Sequence, residues 1–497
     1  MQRIWTTAQV RAAEDAALAS TPAGALMRRA AFGVAVQARR LLLGRSGGVA
    51  GRRVTLLVGA GNNGGDALWA GAELRRRGVA VTAVLLDVDR AHRAGLAALR
   101  RTGGRVVDAA AEPALARDRV CTAELVIDGI VGISARGPLR PSAAELVDAA
   151  ADGGVPILAV DLPSGVNPDT GVVDGPAVSA AATVTFGARK PVHVLAPHRC
   201  GPVYLVDIGV GPYLDAGGDP HLYLPELADV AARWPVPGPT DDKYTQGVVG
   251  VAAGSAVYPG AAVLATGAAV LATSGMVRYA GPAADAVRDR WPEVIAAGSV
   301  ADTGRVQAWV VGPGIGTDDA GRDTLAAVLA QDLPTVVDAD AITLLGAHPE
   351  LRPPGRTAPL LLTPHDREFA RITGGEPGAD RVAAARRAAA DLDATVLLKG
   401  NVTIVADPGG RALAHPYAGA WAATAGSGDV LSGLLGALLA AGLSPWWAAS
   451  CAVYVHDRAA SAAASGAPAP ASRLLGAVPA AIRALRSGSS LRRPAWG

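Results

Sequence analysis

Aromatic residues make up only 4% of this 497-residue chain, and its charge is almost balanced, with Lys+Arg 46 against Asp+Glu 44. A net charge of +2 gives no overall field that would gather nucleic acid or an acidic membrane surface, so any polyanion must be gripped locally. The three cysteines, Cys121, Cys200 and Cys451, are odd in number and far apart, which excludes a disulfide framework and any zinc-site spacing and points to a reducing cytosol. No window reaches about 18 uninterrupted apolar residues. The best candidate, 260–277, is Ala and Gly broken by Thr266, Thr273 and Ser274, and it reads as a buried helix. The N-terminal stretch carries charges throughout and lacks the apolar core of a signal peptide.

What is present is a hydrophobic fraction of 50%, mostly Ala, Val and Leu, as densely packed helices on parallel sheets require. Short β-branched runs alternate with helical stretches: 53–58, then a helix from Leu68, and further strands at 79–86, 125–128, 155–160, 183–186 and 203–208. Around 230–242 the sequence VAARWPVPGPTDD cannot sustain helix or ladder, which marks a boundary. A second series follows, with strands at 247–252, 308–311, 335–338, 360–363 and 395–399 and helices at 260–275, 428–441 and 446–464. The expected class is α/β twice over: a Rossmann-like three-layer αβα domain over 1–228, a Pro-rich linker over 229–242, an αβα domain over 243–486 and a flexible tail over 487–497. Arg75, Arg76 and Arg77 fall at the end of a helix, where cations complement the dipole, and read as a solvated face.

The strand VTLLV runs into GAGNNGGDA at 59–67, a glycine-rich turn whose bare backbone admits an anion at a helix start. Asn62, Asn63 and Asp66 add side-chain oxygens suited to a cation or to sugar hydroxyls. Asp128 in IDGIVGISARGP and Asp161 and Ser164 in AVDLPSGVNPDTG stand at two further carboxyl edges, where open parallel sheets collect ligands. Together with TVTFGARKP and VDIGV, these motifs resemble the NAD(P)H-hydrate epimerase domain over about 1–225. The resemblance implies substrate contacts at Asn62, Asn63, Gly64, Gly65 and Asp66, at Gly132, Ile133, Ser134, Ala135, Arg136, Gly137 and Pro138, and at Asp161. It also implies potassium ligands at Asn63, Asp128 and Ser164, and it places Asp161 to move protons as the hydrate is epimerised at carbon 6. Ala67 and Ile133-Ser134 depart from the family pattern.

In WAATAGSGDVLSGLLGALLAAG, at 421–442, Gly426, Gly428 and Asp429 open a long apolar helix. Its amides can form an anion hole, and Asp429 can take a proton from a hydroxyl. The Thr424 to Asp429 spacing resembles the ribokinase-like superfamily. KYTQGVVGVAAGSAVYPGAAVLA, VGPGIG, VVDADAI, LLTPHDREFARI and VLLKGNVTIVA then narrow the resemblance to the ADP-dependent NAD(P)H-hydrate dehydratase, from about Lys243 to Ala464. It implies substrate contacts at Ala261, Gly314, His365 and Asp429, and nucleotide contacts at Lys399, Gly400, Asn401, Val402, Thr403 and Gly428, with Asp429 as base. Asp242, Asp366-Arg367, Thr343 and Ala425 depart from the pattern.

The function so implied is repair of hydrated NADH and NADPH in the cytoplasm. Epimerisation takes place in the first domain. The second dehydrates the S form with ADP, a magnesium ion bridging the phosphates and AMP and phosphate released. Its partners are the two hydrates and ADP, with no nucleic acid and no membrane, and the oligomeric state is open, a homo-oligomer included. The alternative is a C-terminal vitamin or sugar kinase beside a non-catalytic N-terminal nucleotide-binding or scaffold module.

Overall fold

The computed structural model describes residues 1–133 and 137–487. Ser134, Ala135 and Arg136, and the tail from 488 onward, lie outside the described residues. The chain divides into two compact units, one of Arg3–Leu222 and one of Met1–Gln2 with Tyr223–Gly497.

The first unit is built on a parallel sheet of β1 (Arg53–Val58), β2 (Ala80–Leu85), β3 (Arg105–Asp108), β4 (Leu125–Gly129), β5 (Ile157–Val160), β6 (Ala182–Phe186) and β7 (Val203–Val206), in the order β3-β2-β1-β4-β5-β6-β7. Separate apolar cores fill its two faces, one around Val34, Leu56 and Leu68 and the other around Leu57, Val120 and Val147, which makes three layers. The order reverses between β1 and β4, so their carboxyl ends open a crevice. Helix α1 (Thr7–Leu18) borders the cavity there, and α2 (Asn62–Arg75) starts at it. The sequence pattern put the start of this helix at Leu68; in the structure the glycine motif itself forms the first two turns. Gly64 allows this, because a Cβ there would stand 2.3 Å from the Gly59 carbonyl oxygen. At the other end of α2, Arg76 and Arg77 both pair with Glu73, as a solvated face would.

The second unit has strands β8 (Val248–Ala252), β9 (Met276–Ala280), β10 (Ile295–Ala297), β11 (Ala308–Val311), β12 (Thr335–Val337), β13 (Leu360–Leu362), β14 (Thr395–Leu398), β15 (Val402–Ala406) and β16 (Ala412–Pro416). They run β16-β15-β14-β13-β12-β11-β8-β9-β10, parallel except that β15 is antiparallel to both neighbours. Beyond β16, Tyr223 pairs with Leu413. Helices α3 (Pro259–Ala272), α4 (Asp366–Thr373), α5 (Ser427–Ala440) and α6 (Pro445–Ala464) carry or support the candidate site.

Part of the stretch expected to link the domains is ordered: Leu227–Arg233 is a helix, and Val230 and Trp234 belong to the second core. Helix α3 is the buried helix expected from its Ala and Gly content, and no helix among the described residues is long and apolar enough to cross a membrane.

Where α5 comes closest to α3 and to β11, its residues are glycines. A Cβ at Gly433 would lie 2.1 Å from the Ala265 carbonyl oxygen, and one at Gly436 2.1 Å from Val310 Cγ2. Glycine lets α5 press its backbone against its neighbours, where any side chain would hold it off.

Candidate active sites

At the crevice of the first unit lies a cavity of about 1000 Å³, lined by Asn62, Asn63, Asp66, Gly132, Ile133, Gly137, Pro138 and Asp161 among others. These are residues that the sequence motifs single out, with Gly64 and Gly65 in the first turns of α2. Asp161 follows β5 in a left-handed conformation, φ 68°, and Lys190 Nζ stands 2.5 Å from its Oδ1. Lys190 is 1% exposed and gives its other protons to Thr185 Oγ1 and the Phe186 carbonyl, so its charge is fully engaged. The Lys190 amide donates to His193 Nδ1, which leaves His193 Nε2 to carry the proton and donate it to the Asp161 carbonyl at 2.8 Å. Burial, with Lys190 beside it, lowers the imidazole to about 3, so it is a neutral strut.

Two more carboxyls meet Asp161. Asp66 is 5% exposed, and its Oδ1 has no hydrogen-bond partner among the described residues. Burial, then the charges of Asp161 and Glu14, raise its pKa well above the ordinary carboxylate range. Glu14 of α1 is raised too, first by burial.

Beneath the cavity, Asp128 is completely buried. It accepts from the Ile130 amide, the Ser164 amide and the Ser164 hydroxyl, all uncharged, and burial raises its pKa. Ser164 Oγ in turn accepts from the Val131 amide, and Asn63 Nδ2 donates to the Val131 and Val160 carbonyls. A Cβ at Gly132 would lie 2.9 Å from Asn63 Oδ1. Asn63, Asp128 and Ser164 thus form one network with a single carboxylate and otherwise neutral oxygens, a donor set suited to a large monovalent cation.

In the second unit the chain turns into α5 through Gly426, whose φ of 87° needs glycine, and Asp429 stands in the helix's first turn. Burial, then Asp338, push Asp429 up to about 7, while Lys399 works in the other direction. Lys399 Nζ is 2.7 Å from Asp338 Oδ1 and 3.6 Å from Glu368 Oε2, and Ser432 Oγ donates to Asp338 Oδ2 at 2.7 Å. Gly428 joins this group, since a Cβ there would stand 3.7 Å from Lys399 Nζ. Lys399 and Gly428, 29 positions apart in the sequence, are therefore neighbours. Ala261 and Gly314 also meet, a Cβ at Gly314 lying 3.0 Å from that of Ala261.

His365 caps α4: its Nδ1 accepts from the Arg367 and Glu368 amides while Glu368 Oε2 accepts from the His365 amide. Gly400 and Asn401 make the turn between β14 and β15, and Val402 and Thr403 begin β15. The Asn401 carbonyl accepts from the Tyr417 amide. Tyr417 Oη lies 3.2 Å from His456 Nδ1, and His456 Nε2 is 2.9 Å from the Ser427 carbonyl, so a buried side chain of α6 braces the first turn of α5.

Sequence reasoning missed Lys190, His193, Asp338, Glu368, Ser432 and His456 as site residues. Lys190, Asp338, Glu368 and Ser432 lie in quoted motifs and His193 just beyond one, and a lysine four residues past a β-strand in TVTFGARKP was the available signal for the buried ion pair. Nothing local marks His456.

A family model described as NAD(P)H-hydrate dehydratase matches residues 249–477, and one described as YjeF-related protein N-terminus matches residues 23–192. The bifunctional NAD(P)H-hydrate repair enzyme Nnr of Mycobacterium tuberculosis is 58% identical over 89% of this chain and 90% of its own length. The enzyme of the same name from Mycobacterium leprae is 55% identical over 98% and 100%. Among solved structures, the ADP/ATP-dependent NAD(P)H-hydrate dehydratase from Bacillus subtilis, co-crystallised with ATP/Mg2+, is 27% identical and covers 53% of this chain and 99% of its own, with a TM-score of 0.49.

Proposed function

This chain belongs to the family of bifunctional NAD(P)H-hydrate repair enzymes, and from that premise we propose how its two sites divide the work. The first unit interconverts the R and S hydrates of NADH and NADPH. The second dehydrates the S hydrate with ADP as phosphoryl donor and releases AMP and phosphate. The observation that carries this reading is Asp429: a carboxyl pushed to about 7 at the glycine-opened start of α5, where a base for a hydroxyl and an anion hole coincide.

In the second unit Asp429 takes the proton of the carbon 6 hydroxyl as its oxygen bonds to the terminal phosphorus of ADP and the P–O bond to AMP breaks. The Gly428 turn of α5 holds the transferred phosphoryl group and Lys399 offsets its charge. Phosphate then departs with the C6–O electron pair, the ring nitrogen's lone pair fills the gap, and loss of a proton from carbon 5 restores the dihydropyridine. Ala261, Gly314 and His365 border the hydrate, and Lys399 to Thr403 the nucleotide.

In the first unit the dinucleotide's phosphates sit at the amides of α2 and Asp161 moves protons at carbon 6. Asn63, Asp128 and Ser164 fit a potassium ion, since a buried carboxylate with only uncharged partners gains from a cation. When bound, potassium supplies fixed positive charge beside the phosphates. A magnesium ion bound with the nucleotide would supply charge neutralisation at its phosphates. All three cysteines are free, which suits a cytoplasmic setting.

The test is absorbance at 340 nm as the purified chain, with magnesium and potassium, acts on mixed NADH hydrates. Full recovery of NADH that requires ADP is expected. Recovery that stops at the S fraction removes the epimerase reading, and a stable phosphorylated product removes the dehydratase reading.

A further inference from the structure

Three carboxyl groups, Asp66, Asp161 and Glu14, line the first unit's cavity, and Asp161 has a cation in contact. Asp161 is the partner of Lys190, whose remaining protons are taken by Thr185 and Phe186. Asp66, on the second turn of α2, lines the same cavity with a buried Oδ1 that meets no donor among the described residues. A buried carboxylate oxygen without a partner carries an uncompensated cost, whereas a carboxylic acid at the same place has a proton to give to a ligand.

We propose that Asp66 is a second proton-transfer residue of the epimerase site, acting as the acid to Asp161's base. This rests on the epimerase reading of the cavity and assigns to Asp66 a chemical step beyond substrate contact. For one hydrate, Asp66 gives its proton to the carbon 6 oxygen as the C6–O bond breaks and water leaves with the electron pair. The ring nitrogen's lone pair forms the C=N bond. Water then adds to carbon 6, the π pair returns to nitrogen, and the proton released by that water goes to Asp161. The opposite epimer uses the two groups in reverse, and the proton difference between the two states passes back through cavity water.

The charged and titratable groups around Asp66 agree with this division. Asp161, from the end of β5, and Glu14, from α1, both press it toward the protonated form on top of its burial. Lys190 is held on Asp161, and His92, Arg11 and Arg90 line or border the cavity. A buried carboxyl oxygen without a donor beside a carboxylate held by an ammonium is what acid and base roles at one site require.

The experiment uses the whole chain with potassium, without ADP, and follows R-to-S interconversion of NADH hydrate by chromatographic separation of the epimers. Asp66→Asn is expected to lower kcat by about 10²–10⁴-fold with KM within about threefold. The wild type loses rate as alkaline pH strips the acid, and the residual Asn activity lacks that limb. Asp66→Glu, which keeps a carboxyl in the cavity, recovers at least about tenfold over Asn and regains the alkaline limb. The assignment alone is overturned if Asp66→Asn keeps its kcat, if its loss lies only in KM, or if Glu recovers nothing. A wild-type chain that leaves the R hydrate unchanged overturns the epimerase reading and this assignment with it.

Discussion

Asp429 is governed by influences of unequal weight: burial, Asp338 and Asp340 disfavour its charge and Lys399 favours it. A base works only when ionised, so dehydration is expected to fall tenfold per unit as pH drops below about 7 and to level off above it. Lys399→Met removes the lowering influence, so the acid limb of kcat moves to higher pH; 340 nm rates across pH 5–9 check the direction. The same shift has a stability side. The folded carboxyl binds its proton more tightly than the unfolded one, so its contribution is fully present below the unfolded value and is lost as pH rises through about 7. Asp429→Asn is therefore expected to abolish dehydration, spare epimerisation and raise Tm more at pH 8 than at pH 4. In the first unit, Lys190→Met leaves Asp161 buried without its cation, at a cost of about 3–5 kcal/mol. Urea denaturation of the second variant Lys190→Met with Asp161→Asn is expected to recover part of that loss.

At the level of elements, the alternation of strand and helix was legible because parallel strands covered on both faces are continuous apolar runs, as in β1, β4 and β5. β3, β9, β10, β15 and β16 were not picked out: RVVD and IAA are too short, MVRYA is interrupted by a charge, and the hairpin partners 402–406 and 412–416 depend on pairing across a turn. The start of α2 was misplaced because glycine has poor helix propensity, and here packing against the Gly59 carbonyl overrides it. Most of the candidate site residues were readable from their motifs, while the ion pair of Lys190 with Asp161 and the brace from His456 to Ser427 join segments apart in the sequence. The seam between α3 and α5 makes its own prediction. Gly433→Ala forces a methyl onto the Ala265 carbonyl and is expected to cost about 1–3 kcal/mol, read as a lower urea midpoint for the second unit.

For the whole molecule, the groups proposed for epimerisation lie in one compact unit and those proposed for dehydration in the other. Mixing the Asp161→Asn chain with the Asp429→Asn chain is accordingly expected to restore full, ADP-dependent recovery of NADH from mixed hydrates, although neither variant alone achieves it. Recovery in the mixture no greater than with Asp161→Asn alone would show that the hydrate does not pass through solution between molecules.

The glycine seam bears on how the second site meets its nucleotide. Where Gly433 seats α5 against the Ala265 carbonyl there is no side chain to compress, and the first turn of the helix is braced by His456. The amides proposed to receive the phosphoryl group are thereby aligned before any ligand arrives. The entropy of ordering that turn is lost once, as the chain folds, and is not lost again at each turnover.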